Sequence, residues 1–324
     1  MVRRYDMGTI AAVLATVALW STTFAGNAAA LAHFAPGTLL FLRWSLTVLL
    51  FVAHAVATRM RLPEKRDVPI FVLAGVLGFG VHQLLLVFGQ TGVSASMAGF
   101  LVNMNPVFTM LIAVALGRDR ASAFTWIGLT LCLGGLVLMG AAKGSFSGSP
   151  LSMGLVVLAA LSFACFTVVS KPLYARYSAI EVSTYCVVAG CLPFLVFAPG
   201  SVAAVATASP AQLAVVVFLA LFPGGIAYVL WSRSVAVLPP GMASRFLYLV
   251  PVAGIGVAWA WVGEAPHALT IAGGLVTLAG VAIAGVRSLP VLESWRPGAA
   301  AQHTTAHSDA LAAPPAQLPA PETA

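Results

Sequence analysis

The stretch from Asn103 to Gly140, NMNPVFTMLIAVALGRDRASAFTWIGLTLCLGGLVLMG, returns 145 residues later, from Tyr248 to Gly285, as YLVPVAGIGVAWAWVGEAPHALTIAGGLVTLAGVAIAG. The two align without a gap. Pro106 falls on Pro251, Asp119 on Glu264 and Thr125 on Thr270, while Gly128, Gly135 and Gly140 fall on Gly273, Gly280 and Gly285. The register holds upstream, where Met97-Ala98 meets Met242-Ala243 and Gly80 meets Gly225. The matched residues are small and common, so the fixed spacing rather than any one identity marks an internal repeat, and a repeat of this size governs the fold.

Composition gives the solvent of that fold. Sixty per cent of the 324 residues are hydrophobic and 8% charged, with a mean hydropathy of +0.99, outside the range of soluble domains. A spanning helix needs about 20 mainly apolar residues. Ten stretches qualify, near 9–31, 37–57, 68–89, 95–116, 122–141, 151–171, 180–198, 211–231, 243–262 and 268–286. The apolar runs are continuous rather than alternating, which predicts helices and not barrel strands. The expected fold is therefore an all-α integral membrane protein of two five-helix repeats. Residues 1–8 form a short N-terminus, 9–141 the first repeat, 142–150 a Gly/Ser linker and 151–286 the second repeat. The Ala- and Pro-rich segment 287–324 is expected to be a disordered tail. Arg3-Arg4 ahead of an apolar run resembles a signal peptide, but removing the first span would break the repeat.

The net charge of +7 would suggest nucleic acid in a soluble chain. Its distribution points to the membrane instead. If the spans alternate, fourteen of the sixteen Lys and Arg residues fall on one side; Lys143 alone lies on the other, and Arg43 lies inside span two. The positive-inside rule then places both termini in the cytoplasm. Five is an odd number, so the second repeat enters the membrane from the opposite face, and the repeats should be inverted about an axis in the membrane plane.

Several polar groups interrupt the apolar spans. Span one carries Trp20, Thr23 and Asn27, a stripe that fits either close helix packing or a cavity wall. Arg43 is a cation inside the second span, where charge is costly and points to function unless it snorkels to the interface. His82 and Gln83 lie near the middle of span three; His82 is the natural proton carrier if there is one, and otherwise a neutral hydrogen-bonded histidine. Asn103 and Asn105 precede the kink at Pro106, and Tyr248 precedes Pro251 at the equivalent place. Proline-interrupted spans at matching repeat positions point to a midplane binding site. Tyr228, the repeat mate of Gln83, and Trp231 should face the same cavity from the second half. Asp119 and Glu264 precede the spans that follow them, a place for helix caps or for groups closing each mouth.

The ten-span layout with its repeated Pro–acidic–Gly segments resembles the drug/metabolite transporter superfamily, specifically its bacterial EamA-type branch, over residues 9–286. Trp20, Arg43 and Trp231 are similar to that pattern; Asp119 stands where the family more often has Glu. The resemblance implies alternating-access export of amino acids or other small metabolites from a bacterial inner membrane, some members exchanging protons. Drug efflux and import are the competing readings within the fold. A membrane enzyme would need clustered catalytic groups or metal-ligand spacing, and no carboxylate sits deep in a span. No nucleotide-phosphate loop is present either, so neither cofactor nor metal is expected. The four cysteines lack ligand spacing and are expected to be buried filler.

Overall fold

The computed structural model describes residues 7–118, 121–142, 148–262 and 267–285. Among these residues regular structure is entirely helical, apart from one isolated bridge between Val93 and Gly148. We label the helical segments α1 (Met7–Leu31), α2 (Pro36–Ala57), α3 (Val68–Gly89), α4 (95–115), α5 (Ala123–Ala142), α6 (Pro150–Ala175), α7 (Ala179–Thr207), α8 (Pro210–Val237), α9 (240–262) and α10 (Ala268–Gly285). The first eight are long and apolar enough to cross a membrane; α10 is apolar but shorter, and α9 is broken by a 3-10 turn at Phe246–Tyr248. Leu49, Leu151, Val202 and Leu275 stand exposed on the outside of the bundle, a surface suited to lipid rather than water.

Local chemistry sets the ends. Pro36, Pro150, Pro210 and Pro240 open α2, α6, α8 and α9 in the first turn, where a missing N–H costs nothing. Ser178 with Glu181 and Ser209 with Gln212 form capping boxes on α7 and α8. The sequence places the end of span seven near 198, but α7 continues to Thr207. Pro193 breaks the α-helix into a 3-10 turn, and Pro199 then sits in the first turn of the helix that resumes at Ala198. The prolines interrupt the α-helical ladder without ending the span.

Two irregularities recur at matching repeat positions. Residues Val76–Val81 of α3 and Ala220–Ile226 of α8 are π-helical. The first contains Gly78 and Gly80 and the second Pro223, Gly224 and Gly225, residues that loosen the i→i−4 ladder. Likewise α4 is interrupted at Asn103–Met104 and α9 at Phe246–Tyr248. Each break lies just ahead of a repeat-equivalent proline, Pro106 or Pro251.

The main core joins α1, α2, α3, α6, α7, α8 and α9 around Trp44, Phe79, Phe166 and Trp231. Helices α5 and α10 form a separate pair against α4 and α9, over Met110, Leu129, Cys132 and Tyr248. That pair touches backbone to backbone. A Cβ on Gly128 would lie 2.5 Å from Gly280 O, and one on Gly135 2.5 Å from Gly273 O. As one helix number rises the other falls, so α5 and α10 run antiparallel.

Candidate functional site

A cavity opens beside the irregular segments of α3, α4, α8 and α9, lined by these helices and by α1, α2 and α6; with the solvent at its mouth it encloses about 590 Å3. Its aromatic wall is Trp20, Phe163 and Tyr228. Trp20 contacts Phe163 at 5.5 Å and Tyr228 at 5.1 Å between ring centres, and its indole N–H donates to Pro223 O at 3.1 Å. That carbonyl lies in the π segment of α8, so the irregular backbone holds the ring in place.

The polar wall comes from both halves. Gln83 Nε2 donates to Tyr228 Oη at 2.9 Å, so the two repeat mates meet. His82 Nδ1 lies 2.9 Å from Ala159 O; a carbonyl can only accept, so this nitrogen carries the proton when the ring is neutral. Asn105 Nδ2 donates to Ala160 O at 3.0 Å, and Asn103 Nδ2 to Gly99 O at 2.5 Å. These side chains fill carbonyls on and beside the broken helix, the standard remedy for irregular backbone inside a membrane. Arg43 is only 1% exposed. Its Nη1 donates to Asn27 Oδ1 at 3.0 Å, and Asn27 Nδ2 donates in turn to Gln90 Oε1 at 2.8 Å. Three side-chain atoms on this wall have no hydrogen-bond partner among the described residues: Thr23 Oγ1, Arg43 Nε and Gln83 Oε1.

Eight of the sequence-selected residues thus converge: Trp20, Thr23, Arg43, His82, Gln83, Asn103, Asn105 and Tyr228 line one cavity. Three stand off it. Asn27 sits behind Arg43 as its hydrogen-bond partner. Trp231 is fully buried and backs Trp20 at 5.4 Å. Tyr248 packs into the α5–α10 cluster instead. The turn from Phe246 to Tyr248 rotates the side chains of this segment, bringing Leu247 rather than Tyr248 to the cavity. Pro106 is buried after the α4 break, and Pro251 lines a second cavity of about 810 Å3 beside α5 and α10. Phe24 and Val250 border both cavities and carry no signal in the sequence, because an apolar cavity residue looks like any other apolar residue. Gln90 was missed; its signal is a carboxamide at the end of an apolar span. Asp119 and Glu264 lie outside the described residues.

One end of the bundle carries polar contacts between the two halves. Asp67 accepts from Tyr177 Oη at 2.7 Å and forms an ion pair with Arg176. Arg61 pairs with Glu181 at 2.8 Å. Burial pushes the Asp67 carboxyl up, but the bonds from Tyr177 and Arg176 outweigh it and hold the group below the usual carboxylate range. At the same end Lys171 Nζ donates to the carbonyls of Ala236 and Leu238 at 3.0 and 2.8 Å, capping α8.

Comparison with known proteins places this geometry. The model of the EamA-like transporter family matches twice, over residues 7–141 and 151–286. The "Uncharacterized transporter YdfC" of Bacillus subtilis (strain 168) is 31% identical over 265 residues, covering 82% of this chain and 87% of that protein. The "Probable terminal-alkyne amino-acid exporter" of Streptantibioticus cattleyicolor is 31% identical over 278 residues, covering 86% and 93%. The "Probable amino-acid metabolite efflux pump" of Salmonella typhimurium is 23% identical over 285 residues, covering 83% and 92%. A solved crystal structure shares the fold with a TM-score of 0.69 at 18% identity, covering 87% of this chain and 99% of that one.

Proposed function

This chain belongs to the EamA-like transporter family, and from that premise we propose that it is a secondary carrier exporting a small metabolite, an amino acid or a related zwitterionic or aromatic compound, by alternating access. Ten spans form two inverted halves around the Arg43 cavity, in a bacterial inner membrane with both termini cytoplasmic. The observation that carries the reading is the hydrogen bond between Gln83 and Tyr228, 145 residues apart. A residue meets its own repeat mate only on the axis relating the repeats. Cys132 Sγ donating to Thr277 O at 3.4 Å marks a second such point, again 145 residues apart. An axis passing through the antiparallel α5–α10 pair, across the helices rather than along them, is the geometry an inverted repeat requires. Exchanging the conformations of the halves then opens the cavity to alternate sides, and the substrate need only change the barrier between them. Export is supported by the exporter and efflux-pump relatives.

The test is counterflow in proteoliposomes loaded with unlabelled amino acids and presented with trace labelled ones. A carrier accumulates label transiently, whereas a passive pore equilibrates without overshoot. The same vesicles test the coupling ion. Among the described residues no carboxylate lines the cavity, so His82 is the proton carrier of this proposal. His82→Asn keeps an amide donor near Nδ1 for Ala159 O. It should preserve counterflow and remove accumulation driven by an imposed pH gradient. Unchanged gradient-driven accumulation would dismiss His82 as the carrier.

A further inference from the structure

We propose that Arg43 is the receptor for a carboxylate on the transported compound, and that the site selects its ligands by the acid end rather than by an amine. The inference rests on the carrier reading above and adds the chemical class of the ligand.

Arg43 is a buried guanidinium with no counter-ion among the described residues. The ion pairs among the described residues all lie at the Asp67 end of the bundle, and no acidic side chain lines the cavity. Its one side-chain partner, Asn27, is neutral, and Nε has none. Trp44 covers the guanidinium at 5.0 Å from the ring centre, which shields the cation without neutralising it. A cation removed from water and left unpaired is costly, and a carboxylate arriving beside it recovers that cost. The planar guanidinium with a free Nε edge is built for this geometry. Thr23 Oγ1, also unpartnered on the same wall, supplies a hydroxyl donor.

The amine end finds weaker partners. Gln83 Oε1 is an unpartnered acceptor, and the rings of Trp20 and Tyr228 offer cation–π faces. All of these are neutral. The cavity can therefore hold an amino acid, but its strongest contact is with the carboxylate.

The test compares ligands on the wild-type protein, so it does not depend on whether a variant folds. Phenylalanine, 3-phenylpropionate, phenylalanine methyl ester and phenethylamine, with the aliphatic series norvaline, pentanoate and butylamine, are added to purified protein and thermal stabilisation is titrated. Apparent affinity should fall by roughly tenfold or more when the carboxylate is esterified or removed, and change only about threefold when the amine is removed. Arg43→Lys should weaken the acids and Arg43→Gln abolish their effect, with both variants monodisperse in gel filtration. Equal binding of acid and ester, or no acid-dependent stabilisation anywhere in the panel, overturns the assignment. So does equal stabilisation by sodium chloride alone, which would make the partner of Arg43 an inorganic ion. Counterflow with the same compounds separates the two proposals. Acid-selective binding without counterflow overturns the carrier and leaves Arg43 as a carboxylate receptor. Counterflow that treats acid and ester alike does the reverse.

Discussion

Gly135→Ala is expected to lower the thermal midpoint of the purified protein by several degrees, while Gly134→Ala, one residue away, leaves it level or raises it slightly. The added methyl at Gly135 would sit 2.4 Å from Thr277 Oγ1 and 2.5 Å from Gly273 O. The carbonyl is backbone, so no rotamer change relieves the clash and the α5–α10 pair must separate. Overpacking of this kind costs about 1–3 kcal/mol, which exceeds the roughly 0.5–1 kcal/mol that alanine gains over glycine in a helix. At Gly134 nothing lies within 4 Å of the added atom, so only the favourable term applies. The repeat adds a second expectation. Gly280, the mate of Gly135, faces Gly128 O at 2.7 Å, and Gly280→Ala should cost about as much. Comparable midpoints for Gly134→Ala and Gly135→Ala would mean that the α5–α10 contact carries no stability.

Asp67→Asn is expected to loosen the contact between the halves at the end that holds Glu64 and Ser178. Asp67 belongs to the first repeat, at the start of α3, and its partners Arg176 and Tyr177 to the second. Its side chain is only 5% exposed, whereas Arg66 and Glu64 nearby are 69% and 54% exposed, and such open pairs contribute little. Asparagine keeps the shape but removes the charge that grips Arg176. Because the folded-state carboxyl titrates below its ordinary value, the contact is at full strength above the unfolded value of about 3.9. It is lost only as pH falls through the lower folded value. Spin labels at Leu62 and Pro172 read the loosening as a distance distribution. At neutral pH, Asp67→Asn should raise the ratio of the longer to the shorter population by roughly tenfold. Wild type should reach that ratio only below about pH 4, and the variant should be insensitive to this change. Identical distributions would show that the cluster does not hold this end together.

Much of the fold was legible because it was written twice. The register of 145 residues placed Gln83 opposite Tyr228 before any coordinates, and the two are hydrogen-bonded. The proline pair marked the two breaks in α4 and α9. Helix rotation was not legible. A span that is apolar all round gives no moment to show which face meets lipid and which meets protein, so Phe24, Val102 and Leu247 were passed over as cavity residues. The sequence places Tyr248 at the cavity because it precedes Pro251 as its repeat mate Asn103 precedes Pro106. The 3-10 turn that Tyr248 ends breaks that equivalence locally. The Asp67 cluster was hidden for another reason. Its members lie more than 100 residues apart in the chain, and loop acids and bases carry no periodic signal.

Inversion of the two halves is tested most directly by the side from which repeat-equivalent loops can be labelled. Single cysteines at His33, Glu64, Ser178 and Ser209, in a chain with Cys132, Cys165, Cys186 and Cys191 replaced, are exposed to a membrane-impermeant thiol reagent in sealed vesicles of known orientation. His33 and Ser178 are repeat mates, as are Glu64 and Ser209. The account predicts that Glu64 and Ser178 react from one side and His33 and Ser209 from the other. Labelling of Glu64 and Ser209 from the same side would make the repeats parallel and contradict it.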